Sequence, residues 1–277
     1  MTYAAEISRQ NPGCICFLID QSGSMADPMV GSQKRKAEFL ADAINKILED
    51  LSIRCQKGEE IRDYFDIAAI GYGAQVSPIF AGTLAGRPLV SIGALANAPA
   101  RVESRSKKVD DGAGGLVEQQ VTFPVWIDPV SAGQTPMCAA LSAIQQIIEA
   151  WTQQHQLSFP PVVLHFTDGE STDGVPTEPA ASIRSLATSD GNALLFNVHI
   201  SARGGSPIVF PSSGEQLPDD FARLLFDMSS VLPSNLAREA TKVGYPASEN
   251  SRGFVYNAQA EHIVGLLEIG TRPANLR

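Results

Sequence analysis

CICFLI, residues 14–19, runs directly into DQSGSM, residues 20–25. A six-residue run that is apolar on both faces fits the middle of a parallel sheet with helices above and below it. Cys14 and Cys16, two apart, fall on one face of that strand. In an open α/β sheet ligands bind at the carboxyl ends of the strands, which makes DQSGSM the informative turn. Asp20, Ser22 and Ser24 put one carboxylate and two hydroxyls at alternate positions, and Gly23 lets the loop turn tightly enough for the three oxygens to converge. Converging oxygens suit a hard cation.

Outward from this stretch, apolar residues at helical spacing (Ala37, Phe39, Leu40, Ala43, Ile44, Ile47, Leu48 and Leu51) predict a long helix over 34–54. YFDIAAIGYG at 64–73 and VSPIF at 76–80 are separated by two residues, a link so short that it predicts antiparallel neighbours. A second long helix is predicted over 137–154, with Pro136 near its start, followed by the strand VVLHFT at 162–167. Then come a helix at 177–187, a strand at 193–201, a helix at 218–228 with Asp219 and Asp220 in its first turn, a strand at 253–256 and a closing helix at 258–269. This alternation predicts an α/β fold: a doubly wound, mostly parallel six-stranded sheet with one antiparallel edge strand and helices on both faces. Residues 1–13 are expected to form an arm and 14–277 a single domain. One segment breaks the rhythm. RVESRSKKVDDGAGGLVEQQ, 101–120, reads either as an inserted β-hairpin with a mobile tip or as an unstructured surface loop.

Composition removes several function classes. With 21 Lys and Arg against 30 Asp and Glu, the formal charge of -9 repels a phosphate backbone, so no nucleic-acid partner is expected. No apolar run approaches the roughly 20 residues of a membrane span. The opening MTYAAEISRQNPG lacks the basic and apolar regions of a secretory signal, which makes a cytoplasmic location the default expectation. Cys14, Cys16, Cys55 and Cys138 form no CxxC pair or zinc spacing and are expected to be reduced core residues. The four histidines are isolated, and no Walker A, HExxH or GxGxxG with a following ribose acid occurs.

Two further loops fall at the same predicted sheet edge. GQTP, 133–136, places Thr135 just before the helix at 137, and TDGE, 167–170, places Asp168 at the end of a strand. Under a purely structural reading, Ser22 and Ser24 cap the first helix, Thr135 caps the second, and Asp168 belongs to a TDG turn. DQSGS at 20–24, Thr135 in GQTP and Asp168 in FTDGE resemble the von Willebrand factor A domain, whose metal-ion-dependent adhesion site consists of these three elements in this order. The resemblance covers most of the chain. It implies that the hydroxyls of Ser22, Ser24 and Thr135 bind a divalent metal, with Asp20 and Asp168 contributing directly or through water. Mg²⁺ is favoured by ligand hardness, and Mn²⁺ or Ca²⁺ would accept the same oxygens. The resemblance also implies that an Asp or Glu of a partner protein completes the coordination, since neutral hydroxyl ligands leave the ion electrophilic. Asp27, Glu170 and Asp173 lie in the same loops, either as supporting acceptors or as solvated acids.

Two other functions compete with protein binding. A metal-dependent hydrolase or phosphatase of the haloacid dehalogenase type also begins at an Asp ending the first strand, but it carries DxD, and Ser22 stands where the second acid would be. Catalysis is therefore ranked below binding. A metal-independent structural scaffold is the third possibility, opposed by the full set of five oxygen side chains. The chain looks like the stand-alone prokaryotic members of the family, including the tellurium-resistance-associated proteins. That likeness implies an adaptor in an intracellular signalling, stress-response or defence assembly, with a kinase, phosphatase or AAA+ ATPase as partner.

Overall fold

β1 (Gly13–Asp20) is buried along its whole length, as a strand with no polar side chain before Asp20 must be. The computed structural model describes residues 2–29, 33–110, 115–200, 205–258, 262 and 265. After β1 come α1 (Lys36–Arg54), the small ladder β2 (Gln56–Lys57) with β3 (Glu60–Ile61), β4 (Phe65–Tyr72), β5 (Val76–Pro78), β6 (Val90–Ser91) and α2 (Ile92–Ala96). The chain continues through β7 (Arg101–Asp110), β8 (Leu116–Val125), α3 (Met137–Gln154), β9 (Val162–Thr167), α4 (Thr177–Ser185) and β10 (Leu194–His199). It ends, among the described elements, with β11 (Ile208–Val209), α5 (Asp220–Met228), α6 (Ser234–Lys242) and β12 (Phe254–Tyr256).

The central sheet runs β11-β12-β10-β9-β1-β4-β5, with β6 also paired to β4. β1, β4, β9, β10 and β12 are mutually parallel, whereas β5 and β6 lie antiparallel to β4 and β11 antiparallel to β12. The sheet therefore has eight strands where six were expected, and antiparallel strands at both ends where one was expected. The additional strands β6 and β11 are two residues each, too short for any period-two pattern to register.

β1 divides the core in two. Ile15, Phe17 and Ile19 face one side, where they join Leu40, Ile44 and Leu48 of α1 and Ile92 of α2. Cys14, Cys16 and Leu18 face the other, against Met137, Leu141 and Ile144 of α3 and Leu225 of α5. The three- and four-residue spacing of the α1 and α3 apolar positions puts each set on one stripe, and each large aliphatic side chain so buried contributes about 1.5–3 kcal/mol.

The arms of this segment pair: β7 and β8 run antiparallel from Arg101↔Val125 to Asp110↔Leu116. The surface-loop alternative is thereby set aside, and the expected tip at 111–114 lies outside the described residues. The hairpin base is tied to α1 by Asn45, whose amide donates to the Ile127 carbonyl (2.8 Å) and accepts from Trp126 N (2.9 Å). Further out, Arg105 forms an ion pair with Asp42 at 2.7 Å. Of the expected closing helix, 258–269, most lies outside the described residues. α6 and α2 were not expected from the sequence: α6 is short and mostly polar, and α2 has five residues. Of the cysteines, Cys14, Cys16 and Cys55 are buried and unpaired, while Cys138 is half-buried.

Candidate metal centre

The chain leaves β1, crosses by α1 to β4 on one side, and later returns by α3 to β9 on the other. β1 and β9 are thus adjacent parallel strands whose connections diverge, and a crevice opens at their carboxyl ends, the usual ligand position in such sheets. The register Ile19↔Phe166 brings Asp20 beside Thr167. Thr167 Oγ1 donates to Asp20 Oδ2 (2.8 Å), and Asp20 Oδ1 accepts the Ser22 amide (2.8 Å), which folds the DQSGS loop back over the strand end. The GQTP loop is stitched to the same place: Gly23 N donates to Gly133 O (3.0 Å), and Ala132 N to Gln21 O (2.7 Å).

This stitching brings oxygens of three loops together. Ser22 Oγ and Ser24 Oγ are 3.1 Å apart, and Ser24 Oγ donates to Asp168 Oδ1 at 2.7 Å. Thr135 Oγ1 and Ser24 Oγ lie 3.9 and 4.0 Å from the point where a Cβ on Gly169 would stand, so both hydroxyls border one small space. Neighbouring ligands of a six-coordinate Mg²⁺ stand about 3 Å apart, and the hydroxyl and carboxylate spacing fits that requirement. The helix-capping alternative fails. The N-cap position of α1 is held by Arg35, not by Ser22 or Ser24, and that of α3 by Pro136, not by Thr135; the first turn of α3 is capped by Asp173, which accepts from Cys138 N (3.0 Å) and Ala139 N (2.9 Å). Thr135 is instead held by its backbone, its N–H donating to Thr172 Oγ1 at 3.1 Å. Among the described residues no group of three or more His, Cys, Asp or Glu is positioned to hold a metal, so any such site depends on hydroxyls.

One contact at this centre was not expected from the sequence. Lys36 is the first residue of α1, where the helix macrodipole disfavours a cation, yet it is only 4% exposed. Its Nζ lies 2.7 Å from Asp168 Oδ2, 3.4 Å from Ser24 O and 3.5 Å from Asp27 Oδ2. The only hint in the sequence is the placement of a basic run, Lys34 to Lys36, at a helix start rather than its end. Beside the oxygens a cavity of about 510 Å³ opens, walled by Lys36, Asp168, Asp219, Phe221 and Tyr256. His199 stacks on Tyr256 there with ring centroids 4.8 Å apart.

Burial pushes the Asp20 carboxyl up from 3.8 to about 6, with the charge of Asp168 adding to the effect and hydrogen bonds from Ser22 and Thr167 opposing it. Between these values the folded chain keeps a proton that the unfolded chain has released. Asp20 therefore makes the metal-free protein lose stability as pH rises through that window, by about 3 kcal/mol over the whole gap. Buried His165, hydrogen-bonded to Tyr72 and Asn197, acts in the opposite sense: desolvation lowers it from 6.5 to about 4, so stability falls as pH drops through that interval. Comparing wild type with Asp20→Asn cancels the histidine. We expect the Asn variant to exceed wild type by about 2–3 kcal/mol near pH 7 in chelator and to match it near pH 4, as read by urea denaturation. An Asn variant no more stable than wild type near pH 7 contradicts a buried, uncompensated Asp20 charge.

No protein-family model matches the chain, and no curated protein matches it. Among solved structures, it is similar to proximal thread matrix protein 1 from the mussel byssus, at 13% identity and TM-score 0.43 over 79% of this chain and 42% of that one. It is also similar to the pilus adhesin SpaC from Lactobacillus rhamnosus GG, at 12% identity and TM-score 0.47 over 95% of this chain and 30% of that one. A third is the pilus adhesin RrgA from Streptococcus pneumoniae, at 16% identity and TM-score 0.31 over 61% of this chain and 22% of that one. The chain spans less than half the length of each of these proteins. Among the described residues no helix is long and apolar enough to cross a membrane.

Proposed function

We propose that this chain is a doubly wound domain of the von Willebrand factor A type that binds a partner protein through a divalent cation. The observation that carries the reading is the meeting at Ser24 of two loops 144 residues apart, its Oγ lying 3.1 Å from Ser22 Oγ and 2.7 Å from Asp168 Oδ1. Ser22, Ser24 and Thr135 would supply hydroxyl oxygens, and Asp20 and Asp168 the negative charge. A bound Mg²⁺ supplies a Lewis-acidic position that accepts a carboxylate from an Asp or Glu of the partner. Asp20 holds the serine loop through the Ser22 amide and is itself fixed by Thr167, so its part includes orienting the ligands as well as balancing charge. The cavity walled by Phe221 and Tyr256 gives the residues around that acid a place to pack.

Titration of Mg²⁺ and Mn²⁺ into chelator-treated protein tests this reading. Saturable binding by wild type is expected, with loss of at least about a hundredfold in affinity in Asp20→Ala and Ser24→Ala. Heat signals that are indifferent to both substitutions would reduce the three loops to a structural junction. They would leave the metal-independent scaffold as the better account.

A further inference from the structure

We propose that Lys36 is a tethered cation that neutralises Asp168 when no metal is held and thereby sets how tightly the centre takes a divalent ion. The inference rests on the metal reading above. Both oxygens of Asp168 are engaged: Oδ1 accepts from Ser24 Oγ, itself an expected ligand, and Oδ2 accepts from Lys36 Nζ, each at 2.7 Å. The ammonium is not a passing surface charge. Its side chain is 5% exposed and that of Asp168 has no exposed surface, and the same Nζ reaches the Ser24 carbonyl inside the serine loop. A lysine at the first position of a helix meets the positive end of the dipole, so this placement is held by Asp168, with Asp27 more distant and exposed, rather than by the helix.

The charge balance gives the consequence. Asp20 and Asp168 together offer two negative charges to an incoming ion, and Lys36 has already neutralised one. A divalent cation entering beside the ammonium therefore meets a net charge of -1 instead of -2, the repulsion from Lys36 at short range cancelling about half of the attraction. With both cations in place the buried groups (Asp20, Asp168, Lys36 and the metal) sum to one positive charge, which one further carboxylate cancels; Asp27, 58% exposed, is screened by solvent. Lys36 thus keeps the metal loosely held until an acidic ligand arrives. A centre without it would be neutral with metal alone and would have less need of the partner's acid.

The test compares Mg²⁺ titrations of the metal-free full chain as wild type, Lys36→Gln and Lys36→Arg at fixed ionic strength, with thermal melting in parallel. Glutamine keeps a donor for Asp168 and removes the charge; arginine keeps the charge. Lys36→Gln is expected to bind Mg²⁺ about tenfold tighter or more, and Lys36→Arg within about threefold of wild type. Without metal the Gln variant should melt below wild type, and it should gain more from Mg²⁺ than wild type does. A purely structural lysine would predict equal or weaker metal binding in Lys36→Gln, and that result overturns the proposal. If the metal-free Gln variant is unfolded, all three chains are titrated in a stabilising osmolyte that keeps them folded without metal, and a Lys36→Gln dissociation constant at or above that of wild type there is equally fatal. Binding by Lys36→Gln but not by wild type supports the proposal in its strongest form. Binding by none of the three overturns the metal reading and the inference with it.

Discussion

Asp168→Ala should lower the stability of the metal-free protein by about 3–5 kcal/mol, a large effect for one carboxylate in a loop. The reason is the cation it leaves behind. Lys36 and Asp168 are both buried, their side chains 5% and 0% exposed, and removing one member of a buried ion pair strands the other in a medium that solvates it poorly. The remaining contacts of Nζ, 3.4 Å to Ser24 O and 3.5 Å to Asp27 Oδ2, are too long to replace it. In a chain of 277 residues such a loss corresponds to a fall in melting temperature of about 5–9 °C. Adding Lys36→Met to Asp168→Ala should restore much of the loss, because the pair is then removed as a unit. Scanning calorimetry in chelator checks both variants. A loss below about 1 kcal/mol for Asp168→Ala would show that the ammonium escapes to solvent.

The second large effect is expected at a residue that offers no ligand atom. Gly133 has φ +88°, and a Cβ there would stand 2.3 Å from Ala74 N, 2.5 Å from Ala74 Cα and 2.7 Å from Gly73 C. All three are backbone atoms of the turn between β4 and β5, so no side chain can swing aside. Gly133→Ala should cost on the order of 3 kcal/mol or more, combining strain at positive φ with the clash. The GQTP loop would have to lift from the β4 turn, breaking the bond from Gly23 N to Gly133 O and moving Thr135. Mg²⁺ binding should therefore weaken sharply although every expected ligand is intact. Gly86→Ala is the control: its φ is +75°, but nothing lies within 4 Å of its Cβ position, so only about 1 kcal/mol of backbone strain is expected and metal binding should be unchanged. Equal behaviour of the two variants would mean that the Gly133 contact does not position the loop.

The long central elements were legible because each carries many repeats of one period. The buried run of β1, the apolar stripe of α3 and the strand β9 agree with expectation to within a residue or two. What the pattern missed is short: β6 and β11 have two residues each, and the buried stripe of α6, SNLAREATK, consists of Leu236, Ala237 and Ala240 within nine residues. The same division holds at the centre. Asp20, Ser22, Ser24, Thr135 and Asp168 are legible because strand ends and helix starts place them at one edge. Lys36 was missed because its partner Asp168 is 132 residues away, and no local spacing encodes such a pair. Asp173 had been grouped with the loop acids of the centre; it serves instead as the cap of α3.

The position of β1 between β4 and β9 has a consequence for how the chain is made. β1 and β4 can zip together early in synthesis, but 89 residues lie between the end of β4 at Tyr72 and the start of β9 at Val162. At about 5–20 residues per second on the ribosome, the far edge of β1 waits roughly 5–20 s for its second neighbour. Throughout that interval an eight-residue strand, apolar on both faces, presents an open row of amides and carbonyls to any other nascent chain. This protein is therefore most vulnerable to misassembly while it is being translated, and codon changes that slow the stretch between β4 and β9 should cost more soluble product than slow codons placed after β9.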